Sequence, residues 1–226
     1  MANPCSVWGG IAGGGQNSIV DYDSFYGYNR KITIHELVHN YGIAHANLIT
    51  CNWVNRTSIV NSCIIQEYGD NSDFMGSGWG TILSTNMYNR VLMGFYNESL
   101  FINASTKVTK NYTLKDTNQF NRTFVTDSLA LTFYFKEINL GLTSGKFYDG
   151  TASTNRYIIE LWSGSGECNV YIRIIMNKNT YWWNKRAFRI GNLTLGQSYK
   201  DVINSVEFVF VEKHAACLTA KILVKV

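Results

Sequence analysis

The chain has 226 residues, of which 46% are hydrophobic and 14% aromatic, and this composition is ample for one large or two small packed domains. Its net charge of +4 comes from 20 basic and 16 acidic residues. Neither sign is gathered into a run, which argues against a nucleic-acid partner or a membrane-surface patch. No apolar stretch is long enough to cross a bilayer, so no membrane span is predicted.

The first part of the chain predicts two strands and two helices. Residues 6–12 and 18–22 are short apolar runs separated by Gly13–Gly15, a pattern typical of strands joined by a glycine turn. The segment Lys31–Tyr41 predicts a helix. A second helix is predicted over Thr81–Tyr96, because apolar side chains recur there at helical spacing.

From about residue 106 onward the chain alternates in strand fashion, which favours an antiparallel sandwich or jelly roll. We therefore predict an α+β chain, with residues 1–105 forming one domain and residues 106–226 an all-β domain. The six strands predicted in the second part are Ser128–Ile138, Arg156–Trp162, Asn169–Met176, Trp182–Ile190, Val206–Glu212 and Leu218–Val226.

The string HELVHNYGIAH begins at His35 and has the spacing of a metal site. On a helix, His35 and His39 lie on one face about one turn apart, so both can bind a single Zn²⁺. Gly42 can end the helix in a left-handed conformation and return His45 to the metal. Glu36 follows the first ligand and is placed to act as a general base on a zinc-activated water.

The string HELVHNYGIAHAN, followed by YGDNSDFMG, resembles the gametolysin family of metzincin zinc peptidases. The segment Met87–Phe95 is also similar to the family's helix after the methionine turn. This resemblance implies a zincin-like catalytic fold in the first part of the chain, with Met75 as the methionine beneath the three imidazoles. It also implies protein or glycoprotein substrates from the extracellular matrix or a cell wall.

The predicted strand Trp8, Gly9, Gly10, Ile11 and Ala12 resembles the edge strand on which metzincins bind an extended substrate by strand addition. An ordinary edge strand of the scaffold would have the same sequence pattern. Both interpretations stay open at this stage.

The five cysteines contain no CxxC metal pair, and we predict disulfides between Cys51 and Cys63 and between Cys168 and Cys217. Cys5 is then left without a partner. Six Asn-x-Ser/Thr sequons are candidates for glycosylation and, with the cysteines, favour a secreted or cell-surface protein. These sequons begin at Asn55, Asn97, Asn103, Asn111, Asn121 and Asn192.

The start of the chain lacks the features of a signal peptide, and only about 30 residues precede the zinc motif. A metzincin catalytic domain normally has several strands and a long helix before this point, so we expect a shortened form or a fragment. The sequence predicts a zinc metalloendopeptidase. The alternative is a catalytically weak or inactive adhesion or glycan-binding protein that retains a zinc site.

Overall fold

The computed structural model describes eleven segments of the chain, and the structural statements below concern these residues. The segments are 10–12, 18–20, 28–51, 63–77, 85–104, 108–116, 129–134, 156–164, 167–177, 185–202 and 204–226.

The described residues form two α-helices and thirteen strands. The helices are α1 (Tyr28–His39) and α2 (Met87–Leu92). The strands are β1 (Gly10–Ala12), β2 (Ser18–Val20), β3 (Asn47–Cys51), β4 (Cys63–Gln66), β5 (Phe101–Asn103), β6 (Lys110–Lys115), β7 (Ala130–Tyr134), β8 (Arg156–Gly164), β9 (Glu167–Asn177), β10 (Lys185–Leu193), β11 (Ser198–Asp201), β12 (Val206–Lys213) and β13 (Thr219–Lys225).

Eleven of the strands form two large sheets. The first has seven strands in the order β4-β3-β10-β9-β8-β7-β5, and the second has four antiparallel strands in the order β11-β12-β13-β6. In the seven-stranded sheet the pairs β3–β10 and β5–β7 are parallel, whereas the others are antiparallel. The remaining strands, β1 and β2, pair with each other and lie against α1.

The two large sheets pack face to face through aromatic side chains. Phe208 of β12 has its ring centroid 5.5 Å from that of Tyr157 on β8 and 6.0 Å from that of Phe133 on β7. The Tyr157 hydroxyl donates to Asp201 Oδ2 at 2.7 Å, so its polar end is satisfied inside the core. The apolar residues of this core alternate along β12, where Val206, Phe208 and Phe210 are buried.

The opposite face of the seven-stranded sheet carries the helical part of the chain. Met87 and Tyr88 of α2 pack on Ile158 of β8 and Ile175 of β9. A separate small cluster is formed by residues from α1 and the segments that follow it, and Leu92 of α2 packs against both clusters. The members of this small cluster are Val38, Ile43, Ala46, Phe74 and Met75.

The predicted α+β fold, with a partial metzincin catalytic domain before a β-sandwich, is wrong. The described chain is mostly β, and the several helices of a metzincin domain are not seen among the described residues. The physical reason lies in the segments 47–51, 63–66 and 101–103. Each forms strand hydrogen bonds within the large sheet, and that sheet is completed by strands from the C-terminal half.

Within this architecture several local predictions agree with the structure. The six strands predicted after residue 106 correspond to β7, β8, β9, β10, β12 and β13. The second helix is shorter than predicted: its N-cap is Asn86, whose side chain accepts from the Asn89 amide, and it ends before Gly94, which has φ +78°. Residues 81–84 of that prediction lie outside the described residues.

Strands from both sides of Ser105 hydrogen-bond in one sheet, since β3 and β5 pair with β10 and β7. The predicted division into domains of residues 1–105 and 106–226 stays a prediction. The predicted disulfide Cys168–Cys217 is confirmed, with Cα atoms 5.5 Å apart, and it ties β9 of the larger sheet to the start of β13 in the smaller one.

Candidate metal centre

The three histidines of the sequence motif come together in space. His35 and His39 are one turn apart on α1, and the helix ends at His39. The chain then turns through Gly42, whose φ of +76° suits glycine, and His45 follows just before β3. A helix face and a glycine turn thus bring the ligands together locally.

The imidazole Nε2 atoms converge on one point. His39 Nε2 lies 3.1 Å from His35 Nε2 and 3.1 Å from His45 Nε2. Nitrogens bound at 2.0–2.1 Å to one tetrahedral Zn²⁺ would be separated by about 3.3 Å, close to these distances. The three side chains therefore form a group that could hold a metal ion.

Each of the three imidazoles is oriented by an oxygen at its other nitrogen. His35 Nδ1 lies 3.2 Å from the Phe74 carbonyl, and His39 Nδ1 lies 2.7 Å from the Ile43 carbonyl. His45 Nδ1 is 2.7 Å from Glu67 Oε1. Oxygen partners of this kind fix the tautomer and the ring orientation of metal-binding histidines.

This orientation has an electrostatic consequence for the opposite nitrogens. A carbonyl or a carboxylate accepts a hydrogen bond, so in a neutral imidazole the proton resides on Nδ1 and Nε2 carries a lone pair. The three Nε2 atoms therefore cannot hydrogen-bond to one another in that state, and their lone pairs repel at 3.1 Å. A cation at the common point removes this repulsion, so the donor set fits zinc in number, element and spacing.

Glu36 and Tyr68 lie beside the histidines. Glu36 is buried, with 7% of its surface exposed, and directly follows His35 on α1. The Tyr68 ring lies over His45 with the centroids 3.8 Å apart. Burial raises the pKa of Tyr68, and the negative charges of Glu67 and Glu36 raise it further.

The loop containing Met75 packs against the segment that follows α1. Met75 is fully buried, and its carbonyl accepts from the Ala46 amide at 2.9 Å. Its own amide donates to Asp73 Oδ1 at 2.8 Å. Gly76 is required here, because a Cβ at this position would lie 2.0 Å from the Asp70 carbonyl oxygen.

The predicted substrate strand is described only in part. Gly10, Ile11 and Ala12 form β1, which is next to α1, and their side chains lie outside the described part of the structure, as do Trp8 and Gly9. A role of this strand in substrate binding stays a prediction.

The other predicted cysteine pair and the sequons are also partly described. Cys63 is disulfide-bonded and stands opposite Cys51 in the β3–β4 register, while Cys5 lies outside the described residues.

Four sequon asparagines are exposed and two lie outside the described segments. The exposed ones are Asn97, Asn103, Asn111 and Asn192, and the others are Asn55 and Asn121.

Sequence reasoning missed the oxygen partners of the histidines and the tyrosine over His45. Glu67, Tyr68 and Phe74 belong to a loop that follows β4, more than 20 residues after the motif. The sequence signal for Tyr68 and Phe74 was the string YGDNSDFMG, which indicated the loop without its contacts, and Glu67 lies just before that string.

We expect metal affinity to fall as the pH drops below about 6, because a protonated imidazole cannot bind a metal ion. Burial lowers the pKa of His39 below 6.5, an effect that its hydrogen bond to the Ile43 carbonyl offsets only in part. Because of this lowered pKa, protons compete with a metal ion at His39 at lower pH than at an ordinary imidazole. Zinc titrations between pH 4 and 8 measure this, and affinity that is flat down to pH 4 contradicts it.

Comparison with known proteins finds no family, no curated protein and no solved structure that matches this chain. None of the described helices is both long enough and apolar enough to cross a membrane.

Proposed function

We propose that the chain is a zinc-dependent metalloendopeptidase in which His35, His39 and His45 bind Zn²⁺ and Glu36 is the general base. The observation that carries this proposal is that the Nε2 atoms of His35 and His45 each lie 3.1 Å from His39 Nε2. The buried carboxylate of Glu36 directly follows the first of these histidines in sequence. A purely structural zinc site usually has four protein ligands, whereas three leave one position for water.

When bound, zinc would supply a Lewis acid that polarises a substrate carbonyl and makes a coordinated water acidic. The protein's own side chains would hold the metal ion and move a proton. The Glu36 carboxylate would take a proton from the attacking water and pass it to the leaving amine. The Tyr68 ring packs on that of His45.

The substrate class is argued from the surroundings of the site. The β1–β2 pair lies against α1, which carries two of the ligands, and a strand beside a metal site can receive an extended polypeptide by strand addition. The resemblance of both motifs to gametolysins favours extracellular-matrix or cell-wall proteins. The Cys168–Cys217 disulfide supports a secretory route.

A chelation experiment tests this function. The purified protein is expected to contain about one zinc per chain and to cleave a denatured protein substrate, and 1,10-phenanthroline is expected to abolish cleavage until zinc is restored. Cleavage that persists in the metal-free protein would exclude a zinc peptidase. Stoichiometric zinc without cleavage of any protein tested would instead favour the adhesion or glycan-binding alternative.

A further inference from the structure

A buried group of charged side chains joins the seven-stranded sheet to the Met75 loop, which we define as residues Gly69–Gly76. Arg173 stands on β9, the middle strand of that sheet, and 1% of its side chain is exposed. Its Nε and Nη2 donate to Asp70 Oδ2 at 3.2 and 3.0 Å, and Nη2 also donates to Ser72 Oγ at 2.7 Å. The same guanidinium forms an ion pair with Glu160 of β8. One cation thus binds two residues of the loop and one of the sheet.

The Met75 loop in turn contacts the residues that carry the metal ligands. The Asp70 amide donates to the Ala46 carbonyl at 3.3 Å, and Ala46 directly follows His45. The Phe74 carbonyl is 3.2 Å from His35 Nδ1. Two of the three ligands therefore depend on where this loop lies.

The Met75 loop contains two buried aspartates, and arginine side chains from the sheet compensate their charge. Burial raises the pKa of Asp70, but the guanidiniums of Arg173 and Arg189, together with the hydrogen bonds from Ser72, more than offset this, so the pKa lies below its ordinary value. Burial and the charge of Asp70 raise the pKa of Asp73, and Arg173 opposes that shift as well. Without Arg173, the buried carboxylates of Asp70 and Glu160 would lose a guanidinium partner, and breaking a buried pair in this way leaves uncompensated charge.

The same buried group also accepts hydrogen bonds from the start of α2. Glu160 Oε2 accepts from the Met87 amide at 2.9 Å, and Asp73 Oδ2 accepts from the Asn86 amide at 2.9 Å. The first turn of α2 and the Met75 loop are therefore held by carboxylates of the same buried group, and Arg173 contacts Glu160 directly.

We propose that Arg173, which lies 128 residues after His45 in sequence, is a positioning residue for the metal site. It holds the Met75 loop against β9, and the loop holds His35 and His45 in the orientation that metal binding requires. This inference rests on the proposed function only in taking the three histidines as metal ligands, and it does not require that the protein hydrolyse peptides.

Arg173→Met is expected to lower the affinity for Zn²⁺ by about 10- to 100-fold, the range observed when a residue that orients metal ligands is lost. The Co²⁺ form of the full chain is expected to show a weaker and shifted visible absorption band. Arg173→Lys keeps the charge without the forked donor and is expected to recover part of the affinity.

The matched control is Arg156→Met. Arg156 is also a buried arginine of the sheet, but its ion pair is with Glu98, and its guanidinium lies 5.4 Å from the Tyr88 ring and 5.6 Å from the Tyr134 ring. None of its described contacts is with the Met75 loop. This variant is expected to lose thermal stability like Arg173→Met while its affinity for Zn²⁺ stays within about twofold of the parent. Equal zinc affinity and equal Co²⁺ spectra for Arg173→Met and the parent would overturn the proposal.

A measurement on the metal-free protein separates this inference from the proposed function. Long-range ¹H–¹⁵N spectra report which imidazole nitrogen carries the proton, and in the parent His35 is expected to carry it on Nδ1, opposite the Phe74 carbonyl. In Arg173→Met the His35 signal is expected to move toward a mixture of the two tautomers. An unchanged His35 signal refutes the positioning role even if the parent proves to have no peptidase activity.

Discussion

Glu36→Gln is expected to lower kcat for peptide hydrolysis by about 10²- to 10⁴-fold and to leave the zinc content unchanged. Glutamine keeps the size of the side chain and fills the same buried volume, but it cannot take a proton from water. The three imidazoles and the oxygen partners at their Nδ1 atoms remain in place. Metal analysis and steady-state kinetics on a quenched-fluorescence peptide measure the two quantities separately.

A suitable control for this variant is Glu207→Gln in the four-stranded sheet, where the carboxylate pairs with Lys225 at the surface. We expect its kcat to match that of the parent, because an exposed pair contributes little to stability. Equal hydrolysis by Glu36→Gln and the parent would remove Glu36 from the proposed mechanism.

The second large effect is expected from truncation. A fragment of residues 1–105 is expected to bind zinc at least about 100-fold more weakly than the full chain, because metal binding would then also have to provide the free energy of folding. In this fragment β3 loses its parallel partner β10, and Asp70 loses Arg173 and Arg189. Isothermal titration with zinc and circular dichroism of the same samples measure affinity and folding together.

The control for the truncation is co-expression of residues 1–105 with residues 106–226, which can restore the strand pairing without a covalent link. Recovery of tight zinc binding in the co-expressed pair is expected. A fragment 1–105 that is folded alone and binds zinc as tightly as the full chain would contradict the prediction and would support an independent domain.

The metal group was predictable because its determinants are local. His35, His39 and His45 are separated by four and six residues, and helix geometry with one glycine turn is enough to bring them together. Most C-terminal strands were predictable for a similar reason, since alternation along a strand such as Val206–Lys213 reflects one buried face.

The fold class was not predictable because it depends on contacts between residues distant in sequence. Asn47–Cys51 is a short segment whose partner, Lys185–Leu193, lies well over 100 residues later, and no local pattern marks such a pairing. Arg173 is a similar case: within its strand it reads as a charged residue between isoleucines, and only the structure shows the buried Asp70 that it neutralises. The family resemblance then favoured a helical arrangement that the described chain does not adopt.

The parallel pairing of β3 with β10 also sets the order of events during synthesis. At about 5–20 residues per second, the ribosome needs roughly seven to thirty seconds to make the chain between these strands. During that interval the histidines have been made while β8, β9 and β10 of the same sheet have not. The sheet that holds the Met75 loop can therefore assemble only after β10 has been synthesised, well after the three histidines.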